Sequence, residues 1–339
     1  GGTAVSTTTN AAVVPVTKDA TITSTAPTTS VVAVSSSSLT LTQGIDNVTG
    51  TDGNDTINGF LNGGAATFST LDTINGAGGI DLLQATGVAA GAVDFTKVTN
   101  VQKFLIGSAN AITLDMSTTS GETAVGSLNA TNTVGYTNIE LATAELSVFS
   151  NTNTNTFGFA SSVFSGAADS VTLNTDTAAG TVNVNTAAGA GNLETLTINN
   201  TGVSDFTLGA TIGMTKLVLT GAGNLDIAGA LGAGTVATTV VTIDGSAATG
   251  NLQLAATGAA NFDITTNTGD DVVYVGANLT LNDKVALGTG ADTIVITAPV
   301  VATNMDGVTG ATILGMDVAG ADNQDMDLVA STITTVSLM

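Results

Sequence analysis

The chain has 339 residues and a formal net charge of −22, because 27 Asp and Glu residues stand against 5 lysines and no arginine. Proteins that bind nucleic acid neutralise phosphates with Lys and Arg, so this charge excludes nucleic acid and anionic membrane surfaces as partners. Cys, His and Trp are absent, which excludes disulfide bonds, thiolate chemistry, Cys- or His-based zinc sites and the usual general base.

Four segments are indicated along the chain. Residues 1–40 are rich in Ser, Thr and Val and predict an extended N-terminal β arm, with a disordered linker as the alternative. Residues 41–107 predict a first β module with cation-binding turns, and residues 108–165 predict a Thr- and Asn-rich β region. Residues 166–339 predict a β-solenoid with a second cation-binding module near 267–296. No apolar run reaches the roughly 18 residues of a transmembrane helix, so we expect no membrane insertion.

Short alternating segments between residues 166 and 300 indicate the fold class. SVTLN, TVNVN, LDIA and VVYV are examples, each bounded by Gly, Asn, Asp or Ala, and no helical periodicity is sustained. A period of about 20 to 24 residues carries two strands and two turns, which is typical of a solenoid. We therefore expect an all-β fold, a parallel β-helix or β-roll-like solenoid. A β-sandwich is the competing fold, but its core usually holds large aromatic side chains, and aromatic residues are 4% here.

A repeated Gly–Asp pattern marks two candidate cation sites. Each copy has G-x-D-x-U, where U is apolar, then D-x-U, then a second G-x-D-x-U nine residues after the middle Asp. The first and last Asp of a copy are about one solenoid period apart, so stacked turns would bring their carboxylates together with backbone carbonyls. Such oxygens are the ligands that Ca2+ prefers. The predicted metal residues are, in the first copy, Asp52, Gly53, Asn54, Asp55, Asp72, Gly76, Gly79 and Asp81, and, in the second copy, Asn267, Gly269, Asp271, Asp283, Gly288, Gly290 and Asp292.

These residues have different expected roles. The glycines permit a positive φ at the turn, and the aspartates at the strand starts supply carboxylate oxygens. Asp52 and Asn54 are expected to assist the turn rather than to act as essential ligands. The alternative for every Asp is a turn residue whose carboxylate accepts backbone N–H groups. Residues 316–328 hold four further Asp without the motif and form a weaker candidate site.

The first copy resembles the RTX repeat G-G-x-G-x-D-x-U-x, which binds Ca2+ in parallel β-rolls. From Leu41 to Gly107 the chain reads LTQGIDNVTGTDGNDTING, then LDTINGAGGIDLLQ, then FTKVTNVQKFLIG. This order resembles bacterial surface-layer proteins of the RTX-containing type, such as those of Caulobacter and Campylobacter. The rest of the chain resembles them in composition only, and their all-α anchoring domain, which binds lipopolysaccharide, is not recognisable in it.

The resemblance implies a secreted, extracellular protein at a bacterial cell surface that uses Ca2+ and assembles with identical subunits into a lattice or filament. Cell-surface polysaccharide or lipopolysaccharide is a further partner that it implies. An RTX-type adhesin or biofilm-matrix segment is the alternative function. A polysaccharide-acting β-helix enzyme is a remote one, because the chain has no Arg or His and its only tyrosines are Tyr136 and Tyr274. We therefore expect no enzymatic activity.

Overall fold

A computed structural model describes residues 35–60, 65–88, 91–141, 144–186, 193–209, 214–229, 231, 240–297, 305–316 and 333–338. Every named secondary-structure element within these ranges is a β-strand. In chain order the strands are β1 (Ser38–Thr40), β2 (Asn47–Thr49), β3 (Thr56–Gly59), β4 (Thr73–Asn75), β5 (Leu82–Ala85), β6 (Gly91–Asp94), β7 (Val98–Thr99), β8 (Lys103–Ile106), β9 (Ile112–Asp115), β10 (Ala124–Leu128), β11 (Val134–Ile139), β12 (Glu145–Phe149), β13 (Asn155–Phe159), β14 (Ser170–Asp176), β15 (Ala179–Thr186), β16 (Thr195–Asn200), β17 (Ser204–Leu208), β18 (Lys216–Gly221), β19 (Leu225–Ala228), β20 (Val240–Ala248), β21 (Leu252–Ala255), β22 (Asn261–Thr265), β23 (Val272–Gly276), β24 (Lys284–Ala286), β25 (Thr293–Ile296), β26 (Val308–Thr309), β27 (Ile313–Met316) and β28 (Thr335–Leu338).

These strands form three parallel sheets. A 13-stranded sheet has the order β1-β3-β5-β8-β10-β12-β14-β16-β18-β20-β22-β24-β26. A 12-stranded sheet has the order β28-β27-β25-β23-β21-β19-β17-β15-β13-β11-β9-β6, and a 3-stranded sheet has the order β2-β4-β7. From β8 to β27, successive strands alternate between the two large sheets. Each therefore pairs with the strand one turn before it and, except for the edge strand β26, with the strand one turn after it. The described part of the chain is therefore a β-solenoid of about twelve turns.

The alternation of apolar and polar residues explains why these segments stack. Leu254, Val273, Ile294 and Leu314 are in register on four neighbouring strands and are at most 3% exposed. On β21 and β23 the adjoining residues Gln253, Ala255, Val272 and Tyr274 are half-buried, so that buried and half-buried positions alternate along these strands. Burying one such aliphatic side chain contributes about 1.5–3 kcal/mol. Since one turn has too few inward side chains to form a core alone, each turn is stable only on its neighbours.

Aromatic side chains fill the core of the N-terminal half. The ring centroids of Phe68 and Phe95 are 6.1 Å apart, and those of Phe95 and Phe104 are 4.8 Å apart. Tyr136 stacks on Phe157 with centroids 5.7 Å apart. All five side chains are at most 2% exposed. The solenoid core thus holds large rings, so a low aromatic content does not by itself distinguish a solenoid core from a sandwich core.

Buried polar side chains form hydrogen-bonded groups inside the solenoid. Ser127 Oγ donates to Asn155 Oδ1 at 2.6 Å, and Asn151 Nδ2 donates to the same oxygen at 2.9 Å. Thr175 Oγ1 donates to Asn200 Oδ1 at 2.9 Å in a later turn. All five residues are at most 1% exposed, and their pairing removes the cost of burying them. The sequence predicted the Thr- and Asn-rich segment as β structure without showing that some of its polar residues point inward.

The predicted all-β parallel solenoid is confirmed. The segments SVTLN and VVYV, for example, lie in β14 and β23. Residues 1–34 of the predicted N-terminal arm lie outside the described residues, as do residues 317–328 of the weaker acidic candidate. The end of the arm belongs to the solenoid, because Ser38–Thr40 forms β1 and pairs with β3. Within the described ranges we find no helix of the length and apolarity needed to cross a membrane.

Candidate metal centre

The first and last Asp of each motif copy lie on adjacent turns. Asp55 and Asp81 directly precede β3 and β5, which are neighbours in the 13-stranded sheet. Asp271 and Asp292 directly precede β23 and β25, which are neighbours in the 12-stranded sheet. The expected stacking is therefore present in both copies. The two copies lie on different sheets, which their similar sequences do not indicate, because strands alternate between sheets along the chain.

Each pair is joined by a hydrogen bond from backbone to carboxylate. The N–H of Asp55 donates to Asp81 Oδ1 at 2.7 Å, across 26 residues of sequence. The N–H of Asp271 donates to Asp292 Oδ1 at 3.0 Å, across 21 residues. The same pattern continues to the preceding turn, where Leu252 N–H donates to Asp271 Oδ1 at 2.8 Å. The aspartates therefore form short ladders that fix the register of successive turns.

The second carboxylate oxygen distinguishes the two members of each pair. Oδ2 of Asp55 accepts the N–H of Thr51, and Oδ2 of Asp271 accepts the N–H of Asn267 at 3.3 Å. By contrast, Asp81 Oδ2 and Asp292 Oδ2 are buried and have no hydrogen-bond partner. An unpartnered carboxylate oxygen is costly to bury unless a proton or a cation compensates its charge.

The backbone four residues before each aspartate accounts for this difference. Thr51 and Asn267 occupy that position before Asp55 and Asp271 and donate their N–H groups to the carboxylates. The corresponding residues before Asp81 and Asp292 are Ala77 and Gly288, with φ of 69° and 71°. The left-handed conformation reorients the peptide, and the N–H of Ala77 instead donates to Asn75 Oδ1 at 3.0 Å.

The pKa of the later aspartate is raised in both pairs. Burial raises the pKa of Asp81, the hydrogen bond from Asp55 N–H opposes this, and the negative charge of Asp55 raises it further. Burial likewise raises the pKa of Asp292, against the Asp271 N–H, and the charges of Asp271 and Asp270 add to the rise. Burial alone would also raise the pKa of Asp55, but hydrogen bonds from Thr51 and Ser37 hold it below its usual value.

The free oxygen of Asp81 lies near a second oxygen acceptor. A Cβ at Gly76 would overlap both Asp81 Oδ2 and the carbonyl oxygen of Asn100, so an anionic and a carbonyl oxygen approach the same point. Both are acceptors, and oxygen ligands of this kind suit Ca2+. No group of three or more acidic side chains that could hold a metal occurs in the described ranges. The aspartates would therefore supply only a minority of the six to eight oxygens, with carbonyls and water supplying the others.

The middle aspartates occupy a different kind of turn. Asp72 Oδ2 accepts Ser69 N–H at 2.8 Å, and Asp283 Oδ2 accepts Thr280 N–H at 2.6 Å. Their Oδ1 atoms accept the N–H groups of residues one turn earlier, Asp46 at 3.0 Å and Phe262 at 2.7 Å. With both oxygens occupied, these residues have the contacts of the alternative role, that of a turn residue.

The sequence contains a signal for this second kind of turn. Both middle aspartates follow a Ser or Thr three residues earlier, in SerThrLeuAsp at 69–72 and ThrLeuAsnAsp at 280–283. The hydroxyl group of this residue forms hydrogen bonds within the turn. Thr280 Oγ1, for example, donates to Asp283 Oδ2 at 2.9 Å. Such local side-chain contacts are a known property of Ser, Thr and Asp in turns.

The remaining predicted residues shape the turns. Gly79 has φ of 101°, as expected for a glycine at this position. Gly53, Gly269 and Gly290 each lie so close to the preceding turn that a Cβ would be crowded, mainly by backbone at Gly53 and Gly290. Asp52 and Asn54 are exposed, and Asn54 Oδ1 accepts Ile80 N–H at 2.9 Å.

Asn267 is 5% exposed and donates from Nδ2 to the carbonyl oxygen of Gly250 at 2.8 Å. Its side chain therefore stabilises the turn before Asp271.

Comparisons of the chain with protein families, with curated proteins and with solved structures found no match.

Proposed function

We propose that this chain is a secreted, calcium-dependent structural protein that self-assembles into a bacterial surface layer or a related extracellular lattice or filament. The observation that carries the proposal is the pair of buried, unpartnered oxygens on Asp81 and Asp292, each at the same position of a repeated turn. Bound Ca2+ would supply positive charge that neutralises these carboxylates. The turns would then be stable at neutral pH, where the carboxylates are otherwise a source of repulsion.

The proposed ligands in this chain are Asp81 and Asp292, with the backbone carbonyl of Asn100 near the first. Asp55 and Asp271 contribute negative charge one turn away, and their own oxygens remain bonded to backbone N–H groups. Calcium binding would therefore be coupled to the stacking of adjacent turns, because each site depends on two turns being in register.

Two features support self-assembly. Among the described strands, the sheet edges are β1 and β26, β6 and β28, and β2 and β7, each with a neighbour on one side only. Such edges can pair with strands of another copy. The apolar row that includes Leu314, which is 3% exposed, ends at Val336 in β28, which is 38% exposed. A second copy stacked there would cover this residue.

The proposal includes an extracellular location and the absence of enzymatic activity. The adhesin or biofilm-matrix alternative shares the calcium sites and differs in its partner, which would be a target surface rather than identical subunits. Cell-surface polysaccharide or lipopolysaccharide remains a proposed partner in either case.

Electron microscopy and light scattering of the purified chain, with Ca2+ and after chelation, test the proposal. We expect ordered lattices or filaments with Ca2+ and their loss in excess EGTA. Mg2+ at equal concentration should not restore them, because the smaller ion requires a stricter octahedral site. Assemblies and melting temperatures that do not change in EGTA would refute the calcium dependence, and a monomer at all Ca2+ concentrations would favour the adhesin alternative.

A further inference from the structure

An open groove of about 400 Å3 crosses four turns of the solenoid where β17, β19, β21 and β23 begin. It lies on the 12-stranded sheet, and its volume is within the range of small-ligand sites. With adjacent strands 4.7–4.9 Å apart, four turns span about 14 Å, so the groove suits an elongated ligand that runs across the strands.

One wall of the groove is a row of side chains in register. Asp205 pairs with Asp226 on adjacent strands, and Asp226 pairs with Gln253 on the next. Gln253 Nε2 donates to Asp226 Oδ2, which fixes the orientation of both side chains. The wall therefore presents carboxylate acceptors and a carboxamide at the spacing of the strands.

The opposite wall is also built from ordered polar side chains. Asn224 Oδ1 accepts Asn251 N–H at 3.0 Å, and Asn251 Oδ1 accepts Asp270 N–H at 3.1 Å. Because each carbonyl oxygen is bonded to the next turn, the carboxamide planes are held in place. A ligand would meet groups that are already ordered, which reduces the entropy lost on binding.

The accessible apolar surface of the groove comes from valines. Val203 is 70% exposed and Val272 is half-buried, whereas Leu225 and Leu252 belong to the core and are each 2% exposed. A ligand for this groove therefore needs hydroxyl or similar polar groups along its length and some apolar C–H surface that can contact the two valines.

The charge of the groove restricts the ligand further. Asp205, Asp226 and Asp270 give it a negative potential. Burial raises the pKa of Asp226, and the nearby charge of Asp205 raises it further. An anionic ligand, such as a phosphorylated or uronate-rich glycan, would be repelled.

We propose that this groove binds a neutral polysaccharide chain across successive turns of the solenoid. Sugar hydroxyls can donate to the carboxylates of Asp205 and Asp226 and accept from the carboxamide of Gln253, while the C–H faces of the rings contact Val203 and Val272. The repeating hydroxyl groups of a polysaccharide would thus face side chains that repeat at the spacing of the strands. The proposal refines the glycan partner of the proposed function, and it can fail while calcium-dependent assembly holds.

The test uses the full chain with Ca2+, probed with neutral linear hexasaccharides built from glucose, mannose or galactose, with hexagalacturonate and with hexalysine. Isothermal titration at low and high NaCl follows binding. We expect at least one neutral hexasaccharide to bind with an affinity that NaCl does not change, and no binding of hexagalacturonate. Asp226→Ala and Gln253→Ala should each lower that affinity at least tenfold.

Asp115→Ala is the matched control, because Asp115 also forms an in-register pair, with Asp94, in the same sheet but outside the groove. Its affinity should stay within twofold of the parent. Unchanged melting temperatures establish that the groove variants are folded; if Asp226→Ala is not, Gln253→Ala decides alone. The proposal is overturned if no neutral hexasaccharide binds, if binding survives both groove variants, or if only hexalysine binds and is lost at high NaCl, since screening marks a purely electrostatic site.

Discussion

The backbone N–H of Asp55 donates a hydrogen bond of 2.7 Å to Oδ1 of Asp81, which lies one turn farther along the solenoid. Asp271 and Asp292 repeat this relationship on the other large sheet at 3.0 Å. In both pairs the hydrogen bond uses one oxygen of the later aspartate and leaves the other buried without a partner. The same local arrangement therefore occurs twice. In each case the two aspartates occupy equivalent positions of the motif but differ in the hydrogen-bond partners of their second carboxylate oxygen.

Asp292→Asn tests the role of the later aspartate. The substitution keeps the size of the side chain and an oxygen that can accept the N–H of Asp271, but it removes one negative charge. We expect calcium affinity at this site to fall at least tenfold, which corresponds to about 1.4 kcal/mol. Isothermal titration measures the change. Asp94→Asn is the control, because Asp94 is in β6 and outside the motif, and its affinity should equal that of the parent.

The two variants together separate three situations. An equal loss of affinity in both would indicate diffuse binding of Ca2+ to a polyanionic surface. No loss in either would mean that the Gly–Asp turns are turns only.

The stability of the calcium-free protein should depend on pH through the same side chains. Asp81 has a pKa raised above its usual 3.8 in the folded state. Such a group stabilises the fold below its unfolded-state pKa and loses that contribution as the pH rises through the folded-state pKa. In EGTA, Asp81→Asn should therefore be more stable than the parent at pH 7, and the difference should vanish below about pH 3.8. Urea denaturation between pH 3 and pH 7 measures it.

The Asp55→Asn substitution should change the stability of the calcium-free protein in the opposite direction. Hydrogen bonds lower the pKa of Asp55, so its carboxylate stabilises the fold above its unfolded-state pKa and loses that contribution as the pH falls. Its Asn variant should be less stable than the parent at pH 7. Saturating Ca2+ should reverse the order of the parent and Asp81→Asn, because binding to the folded state stabilises the parent. Identical pH profiles for all three proteins would contradict the assignment.

Ala77→Gly tests the backbone conformation that leaves Asp81 Oδ2 without a donor. Ala77 has φ of 69°, a left-handed conformation that costs a residue with a Cβ about 1–2 kcal/mol. Glycine, which stands at the corresponding Gly288, should stabilise the chain by up to about 1 kcal/mol after its larger entropy loss. Ala255→Gly in β21 is the control and should destabilise by about 0.5–1 kcal/mol. Urea denaturation of both variants gives the free energies of unfolding, and equal destabilisation would show that position 77 is not strained.

Phe95→Ala tests the aromatic part of the core. Phe95 is fully buried between Phe68 and Phe104, so its truncation should cost about 3–5 kcal/mol. Phe60 is 40% exposed, and Phe60→Ala should cost much less. Thermal melting of the two variants in Ca2+ compares them, and a similar cost at both positions would contradict the role of the ring stack.

The solenoid was predictable because its signal is local and repeated. Alternating segments such as SVTLN have the same period as the strands that they form, and the spacing from Asp55 to Asp81 correctly indicates adjacent turns. The sheet to which each pair belongs was not predictable, because it depends on how many strands precede the pair. The difference between Asp81 and Asp72 was predictable only in part. The Ser three residues before Asp72 indicates the turn in which Ser69 N–H bonds to its carboxylate, whereas no sequence signal indicates the φ of Ala77, which leaves an oxygen of Asp81 without a donor.

The parallel pairing of every described strand with its neighbours one turn away has a mechanical consequence. Within one turn the residues are joined by the covalent backbone, whereas neighbouring turns are held together mainly by hydrogen bonds and side-chain packing. A force applied across the strands pulls turns apart and can detach them one at a time. A force applied along a strand is resisted by the covalent backbone. Cations bound at Asp81 and Asp292 would link adjacent turns at these two positions. The force needed to separate the turns would then depend on the calcium concentration around the protein.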